Sequence, residues 1–206
     1  RLDYLGRPFA RAVYGTLNIW ALHRLDYRVC VSDPIRQRLI DRGFEPNRLF
    51  SIYNGLDFSH VVPKTDRAAY FAQFGYTVHE GDVIAGIAAR LDPVKDIPTL
   101  IRAVALAQKA CPQLRLAIAG DGKERKKLEA LTKELGLEGS VFFLGWVNDL
   151  DSFYGALDIN TLSSLSEAFP YALPEGARAH LATVASNVGG VPAIIEHGVT
   201  GLLIEP

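Results

Sequence analysis

The chain has 206 residues, 49% of them hydrophobic and 22% charged, which is enough to bury a core in one large domain or in one domain and part of another. Its formal net charge of −1 excludes bulk electrostatic attraction to nucleic acid or anionic lipid. No apolar run reaches the length of a bilayer span, and no signal peptide is visible. Cys30 and Cys111 stand far apart in apolar surroundings. They fit buried thiols in a reducing compartment, hence a cytoplasmic protein, better than a disulfide framework. The chain begins at Arg1 and contains no Met, which predicts a piece of a longer polypeptide.

A helix is predicted over residues 1–28, where Leu5, Phe9, Val13, Leu17 and Trp20 recur at steps of three and four. Arg1, Arg7, Arg11, Arg24 and Arg28 decorate it. The plain reading is a solvated helix face; the sharper one is a basic surface helix in peripheral contact with a membrane through Trp20 and the arginines. A short buried strand over 29–31 follows. Asp33-Pro34 then opens a helix that Gly43 closes. Residues 49–53 read as a strand ended by the turn Asn54-Gly55, and 58–80 as a linker with a short helix.

From Asp82 onward apolar strands alternate with helices. Strands are expected over 83–89, 114–119, 141–144, 159–162, 183–185 and 202–204. Helices are expected over 96–110 with Asp96 as N-cap, over 123–135 with Leu128, Leu131 and Leu135 inward and Gly136 as stop, and over 149–156, 174–180 and 192–196. That order predicts an α/β fold, a doubly wound, Rossmann-like parallel sheet covered on both faces. Ligands bind such sheets beyond the carboxyl ends of the strands, so chemistry is sought in the loops there.

The first such loop carries Arg90 and Lys95 before a helix start. Two cations beside free backbone N–H groups and a positive helix dipole make an anion site, able to hold a diphosphate; the alternative is two surface charges. The second carries Gly120-Asp121-Gly122, either a close backbone approach to a ligand or a tight turn. Gly145-Trp146 after the third either flanks a flat base or packs on the core, and Gly189-Gly190 is a further phosphate-side turn candidate. Glu167 and Glu175, eight positions apart, are carboxylates suited to accept hydrogen bonds from sugar or ribose hydroxyls. Glu175 also has an ordinary role in stabilising the helix it starts, and Glu167 sits in a loop with Ser163, Ser164 and Ser166. Asp149-Leu150-Asp151 has the form of a metal-binding pair but reads as a helix cap before Phe153-Tyr154. The histidines at 23, 60, 79, 180 and 197 lack ligand spacing, and no metal is expected. There is no Gly-x-Gly-x-x-Gly, P-loop or Gly-x-Ser-x-Gly.

Seven segments in order resemble the GT-B glycosyltransferases of family 4 (group 1), chiefly their C-terminal nucleotide-sugar-binding domain. They are Asn54-Gly55-Leu56-Asp57, Ala89 through Lys95, Ala119 through Gly122, Val141 through Gly145, Ser166 through Pro170 with Glu175, Val188 through Pro192, and His197 through Leu203. The resemblance implies that residues 1–57 end the acceptor-side domain and its junction, that 58–81 form a linker, and that 82–206 bind the nucleotide sugar and lack their closing C-terminal helix. It implies that Arg90 and Lys95 hold the donor diphosphate, Glu175 the ribose and Glu167 the transferred sugar. Gly120, Gly122 and Gly145 would lie along the donor, with Ala168, Phe169 and Pro170 lining the sugar and phosphate pocket. The family has Gly at Ala168, where a methyl now meets the ligand, and Gly-Leu-Pro at His180-Leu181-Ala182. The implied reaction moves a sugar from a nucleoside diphosphate sugar to an acceptor hydroxyl in polysaccharide or glycolipid synthesis. It retains anomeric configuration and uses neither metal nor cofactor. The isolated chain is expected to bind donor and to be inactive without the acceptor domain. The rivals are a sugar-nucleotide 2-epimerase on the same fold and a domain that only binds a nucleotide or a protein.

Overall fold

The computed structural model describes residues 8–59 and 61–206. The chain divides into two compact units, Arg1–Gly55 and Leu56–Pro206. In the first, helix α1 (Pro8–His23) precedes strand β1 (Arg28–Cys30), helix α2 (Asp33–Ile40) and strand β2 (Leu49–Ser51), and the two strands pair in parallel. Pro34 lies in the first turn of α2, and Gly43 at φ +86° ends the segment, as expected. Cys30, Phe44 and Leu49 form the core, with Ile19, Leu22, Ile35 and Leu39 against them.

Helix α1 turns Ile19 and Leu22 inward, while Leu17 and Trp20 are more than half exposed. The Arg24 guanidinium lies 4.2 Å over the Trp20 ring. Arg28 is not surface decoration: it is buried in β1, and its guanidinium donates to the carbonyls of Leu22 (2.7 Å) and Leu25 (2.8 Å) over the Phe44 ring. A buried Arg is tolerable because carbonyls at and just past the end of α1 accept its N–H groups. The expected helix over residues 1–7 with Leu5 lies outside the described residues, as do the side chains of Phe9, Arg11 and Val13 and all of His60. No helix among the described residues is long and apolar enough to cross a membrane.

The second unit is a six-stranded sheet, all parallel, in the order β5-β4-β3-β6-β7-β8. Its strands are β3 (Val83–Ala88), β4 (Leu114–Ala119), β5 (Val141–Gly145), β6 (Ile159–Leu162), β7 (Ala182–Ser186) and β8 (Leu202–Ile204). Helices α3 (Arg67–Ala72), α4 (Ile97–Ala107), α5 (Arg125–Glu134), α6 (Leu150–Gly155) and α7 (Ala172–Arg178) cover it. Alternate residues of each strand feed different cores. Ile84, Ala117 and Phe142 join Phe71 of α3 and Phe153 of α6, whereas Ala85, Leu116 and Val141 join Ile101 of α4 and Leu128 of α5. Both faces are buried, so the strands read as continuous apolar runs.

Residues 58–81 carry the expected short helix, α3, and it is packed rather than strung out: Tyr70 and Phe71 are buried in the first of these cores. Asp149 caps α6 by accepting from the Ser152 N–H at 3.0 Å, the capping role read from the sequence. Asp96 occupies the N-cap of α4 but in a left-handed conformation (φ +42°), with no side-chain cap bond. The helix expected over 192–196 is a single 3-10 turn, Val191–Ala193. Cys30 is buried and Cys111 half-buried, both as free thiols.

Strand β3 lies between β4 and β6. From β3 the chain winds outward through β4 and β5, then returns to the other side of β3 as β6 and continues to β8. The loops leaving β3 and β6 therefore lie side by side over the carboxyl edge at the topological switch point, where doubly wound sheets bind ligands.

Candidate functional site

The loop after β3 is anchored by Leu91, which is fully buried. Its N–H donates to the Asp121 carbonyl at 3.0 Å, and its own carbonyl accepts from the Glu124 N–H at 3.0 Å. A 3-10 turn, Pro93–Lys95, then delivers Lys95 to the crevice. The loop after β6 meets it there. Ser163 Oγ donates to the Lys95 carbonyl at 2.7 Å, and the Leu165 N–H to the Val94 carbonyl at 2.8 Å.

Across this seam Lys95 Nζ lies 2.6 Å from Glu167 Oε1. Ser164 Oγ donates to the same oxygen at 2.6 Å. The lysine side chain is 21% exposed and the glutamate 11%, so this is a pair facing a crevice and not a surface ion pair. Its attraction is screened less than that of a solvated pair. Beneath it, Gly189 is at φ +55°, and a Cβ there would stand 1.7 Å from the Glu167 carbonyl oxygen. Only glycine lets that backbone come so close. Ala168 is exposed, Phe169 meets Tyr171 edge-on with centroids 6.2 Å apart, and Pro170 is buried.

The other predicted residues separate from this pair. Arg90 is 66% exposed and bonded to Asp92 rather than grouped with Lys95. Glu175 lies in the first turn of α7 and accepts from the Tyr154 hydroxyl at 2.9 Å. Burial, and then the nearby Glu175, push the Tyr154 phenol well above its ordinary pKa, so it is a standing donor to that carboxylate at neutral pH. Gly120 and Gly122 serve the protein's own backbone: Cβ atoms there would stand 1.9 Å from the Ala89 carbonyl oxygen and 2.5 Å from that of Leu91. Gly145, at φ +70°, has open space, the nearest atom to an added Cβ being an Arg125 nitrogen at 3.8 Å. Trp146 does not pack on the core; it is 75% exposed, with its indole N–H on Asn148 Oδ1 at 3.0 Å. Asp151 pairs with Arg178. A small cavity of about 190 Å³ at the start of α4 is lined by Asp92, Asp96 and Glu124, three carboxylates that disfavour an anion there.

Sequence reasoning did not single out Ser164, Tyr154 or Asp92. A serine just after an apolar strand was the available signal for the first, since a buried hydroxyl needs a partner. Nothing local marked Tyr154 as the donor to a glutamate 21 positions on.

Doubly wound topology places the cation–carboxylate pair at the switch point, where α/β sheets of this class bind ligands. Residues 71–206 match the family described as glycosyl transferases group 1, and the chain belongs to it. It is 32% identical over 168 residues to the D-inositol 3-phosphate glycosyltransferase of Mycobacterium sp. (strain KMS), which covers 78% of this chain and 37% of that protein. Among solved structures, Anabaena Alr3699/HepE in complex with UDP and glucose superposes with a TM-score of 0.77 at 29% identity, over 88% of this chain and 50% of that one. The C-terminal domain of the group 1 glycosyl transferase LpcC from Francisella tularensis superposes with a TM-score of 0.63 at 27% identity, over 74% of this chain and 80% of that one. The sheet is thus of the GT-B, Rossmann-like kind. The chain spans less than half of the length of curated relatives that it matches.

Proposed function

We propose that this chain supplies the donor side of a glycosyltransferase that moves a sugar from a nucleoside diphosphate sugar to an acceptor hydroxyl. The observation that carries the reading is the Lys95–Glu167 pair at the switch-point crevice. It sets a cation suited to a diphosphate beside a carboxylate suited to a sugar hydroxyl. Family membership and the UDP-bound relative support it.

In this reading Lys95 holds the diphosphate, with Arg90 as a second and more exposed cation. Glu167 accepts from a hydroxyl of the transferred sugar. Glu175, fixed by Tyr154, accepts from the ribose. The open side of Gly145 admits the ligand to the backbone. The bond from the anomeric carbon to the diphosphate oxygen breaks, and its electron pair leaves on the diphosphate. A bond to the acceptor oxygen forms on the same face of the ring, and the acceptor proton passes to the departing diphosphate oxygen. Fixed positive charge at the leaving group lowers the barrier without a metal, because the charge develops where the donors already point. The acceptor is held by further sequence of the kind that the longer relatives possess. No observation favours the epimerase or the purely binding alternative.

Calorimetric titration with UDP, UDP-glucose and uridine tests the donor site. UDP is expected to bind more tightly than uridine and to lose that advantage in Lys95→Ala. Equal affinity for UDP and uridine, or binding of neither, would refute it. Product analysis by NMR in the full-length protein reads the anomeric outcome; inversion would refute retention.

A further inference from the structure

Glu167 is held at one oxygen by two donors of different kinds. Lys95 brings a charge on a long, flexible stem, and Ser164 brings a hydroxyl on a single methylene. Ser164 is fully buried, two residues past the end of β6, so its position is held close to the sheet. Both bonds fall on Oε1, and among the described residues Oε2 has no partner. An ionised carboxylate has about four acceptor sites, and two of them sit on that second oxygen. Lys95 in turn has three N–H donors, and Glu167 takes one.

The two donors behave differently when a ligand arrives. A diphosphate draws the lysine toward itself, because it is a stronger anion than a single carboxylate. The serine has nowhere to go. We infer that Ser164 is a positioning residue: it pins Oε1 of Glu167, so that Oε2 stays aimed at the hydroxyl of the donor sugar while Lys95 engages the phosphates. This rests on the donor-site reading above, and it adds a role for a side chain that does not itself touch the ligand. Rotational freedom withheld from Glu167 is freedom that donor binding need not remove.

The test is calorimetric titration of wild type, Ser164→Ala, Glu167→Gln and the double variant. The probes are UDP, UDP-glucose, UDP-galactose and UDP-N-acetylglucosamine, and the quantity read is the gain in affinity of the best sugar nucleotide over UDP. Ser164→Ala is expected to cut that gain about three- to tenfold while UDP affinity stays within about twofold. In the Glu167→Gln background the serine change should have no further effect, since its action runs through the carboxylate. Ser164→Cys, which keeps the side chain's shape at a slightly larger volume and weakens the donor, should fall between wild type and Ser164→Ala, and it carries the test if Ser164→Ala loses its cooperative melt. A merely structural serine would lower melting temperature and UDP affinity together, add to Glu167→Gln, and so overturn the inference. A wild-type chain that binds UDP but gains nothing from any of the three sugars overturns it as well. A chain that does not bind UDP at all defeats the donor-site reading itself.

Discussion

Removing Lys95 should do two separable things to nucleotide binding. The ammonium lies 2.6 Å from Glu167 Oε1 in a pair only 21% and 11% exposed. Lys95→Ala deletes a charge-assisted bond to the diphosphate, worth about 1.5–3 kcal/mol, or roughly 10- to 150-fold in UDP affinity. It also strips Glu167 of its cation. That carboxylate then faces the incoming phosphates uncompensated; a unit charge about 6 Å away, at an effective dielectric between about 80 and 20, repels by about 0.7–2.8 kcal/mol. Adding Glu167→Gln to Lys95→Ala removes the repulsion. The double variant should therefore bind UDP about 3- to 100-fold more tightly than Lys95→Ala alone, although it has lost both charges. Uridine, which carries no phosphate, should bind all four forms of the cycle alike. Isothermal titration at low and high salt reads the effect, and the recovery should shrink as salt rises. If the double variant binds UDP no better than Lys95→Ala, or if uridine affinity falls in step, the phosphate is not at Lys95 and the reasoning fails.

Arg90→Ala should cost UDP affinity less than about fivefold, because the side chain is 66% exposed and already paired with Asp92. A loss matching that of Lys95→Ala would put the guanidinium on the phosphates. UDP affinity should be unchanged by EDTA; a fall that magnesium reverses would show a metal in the donor site. Gly189→Ala, whose Cβ would meet the Glu167 carbonyl oxygen at 1.7 Å, should erase the preference for sugar nucleotides over UDP and lower the melting temperature. Gly136→Ala, at φ +68° with open space around it, should lower the melting temperature and leave that preference intact. Tyr70 has a buried hydroxyl without a hydrogen-bond partner and a pKa pushed up to about 12, first by burial and then by Asp149. A raised folded-state pKa means that its stabilisation is complete below the ordinary value of 10 and is lost as pH climbs from 10 to 12, by about 2–3 kcal/mol. Tyr70→Phe should thus flatten the fall in unfolding free energy between those pH values and cost little at neutral pH; an equally steep fall would contradict it.

The fold was legible because burial on both faces of a parallel sheet leaves continuous apolar runs. The expected strands at 114–119 and 159–162 are β4 and β6 to the residue. Element ends and weak helices were less so: Gly189, Gly190 and Gly198 flank the short stretch where a helix was expected over 192–196, and the chain there spends a single 3-10 turn. The site was half legible. Position in loops after strands singled out Lys95, Arg90, Glu167 and Glu175, yet a linear sequence does not state which charge meets which. Arg90 takes Asp92, two positions away, while Lys95 takes Glu167, 72 positions away, only because the strand order sets β6 beside β3.

The glycines show the same limit from the other side. A glycine at the end of a strand signals that something comes close to the backbone, and the signal is alike whether the visitor is a phosphate or another stretch of the chain. At Gly120, Gly122 and Gly189 the visitor is the chain, with carbonyl oxygens of Ala89, Leu91 and Glu167 occupying the space a Cβ would need. Those close approaches pack the loops after β3 and β6 against their neighbours, alongside the hydrogen bonds of Leu91, Ser163 and Leu165. At Gly145 the nearest atom to an added Cβ is an Arg125 nitrogen at 3.8 Å, and the left-handed backbone (φ +70°) by itself accounts for the glycine.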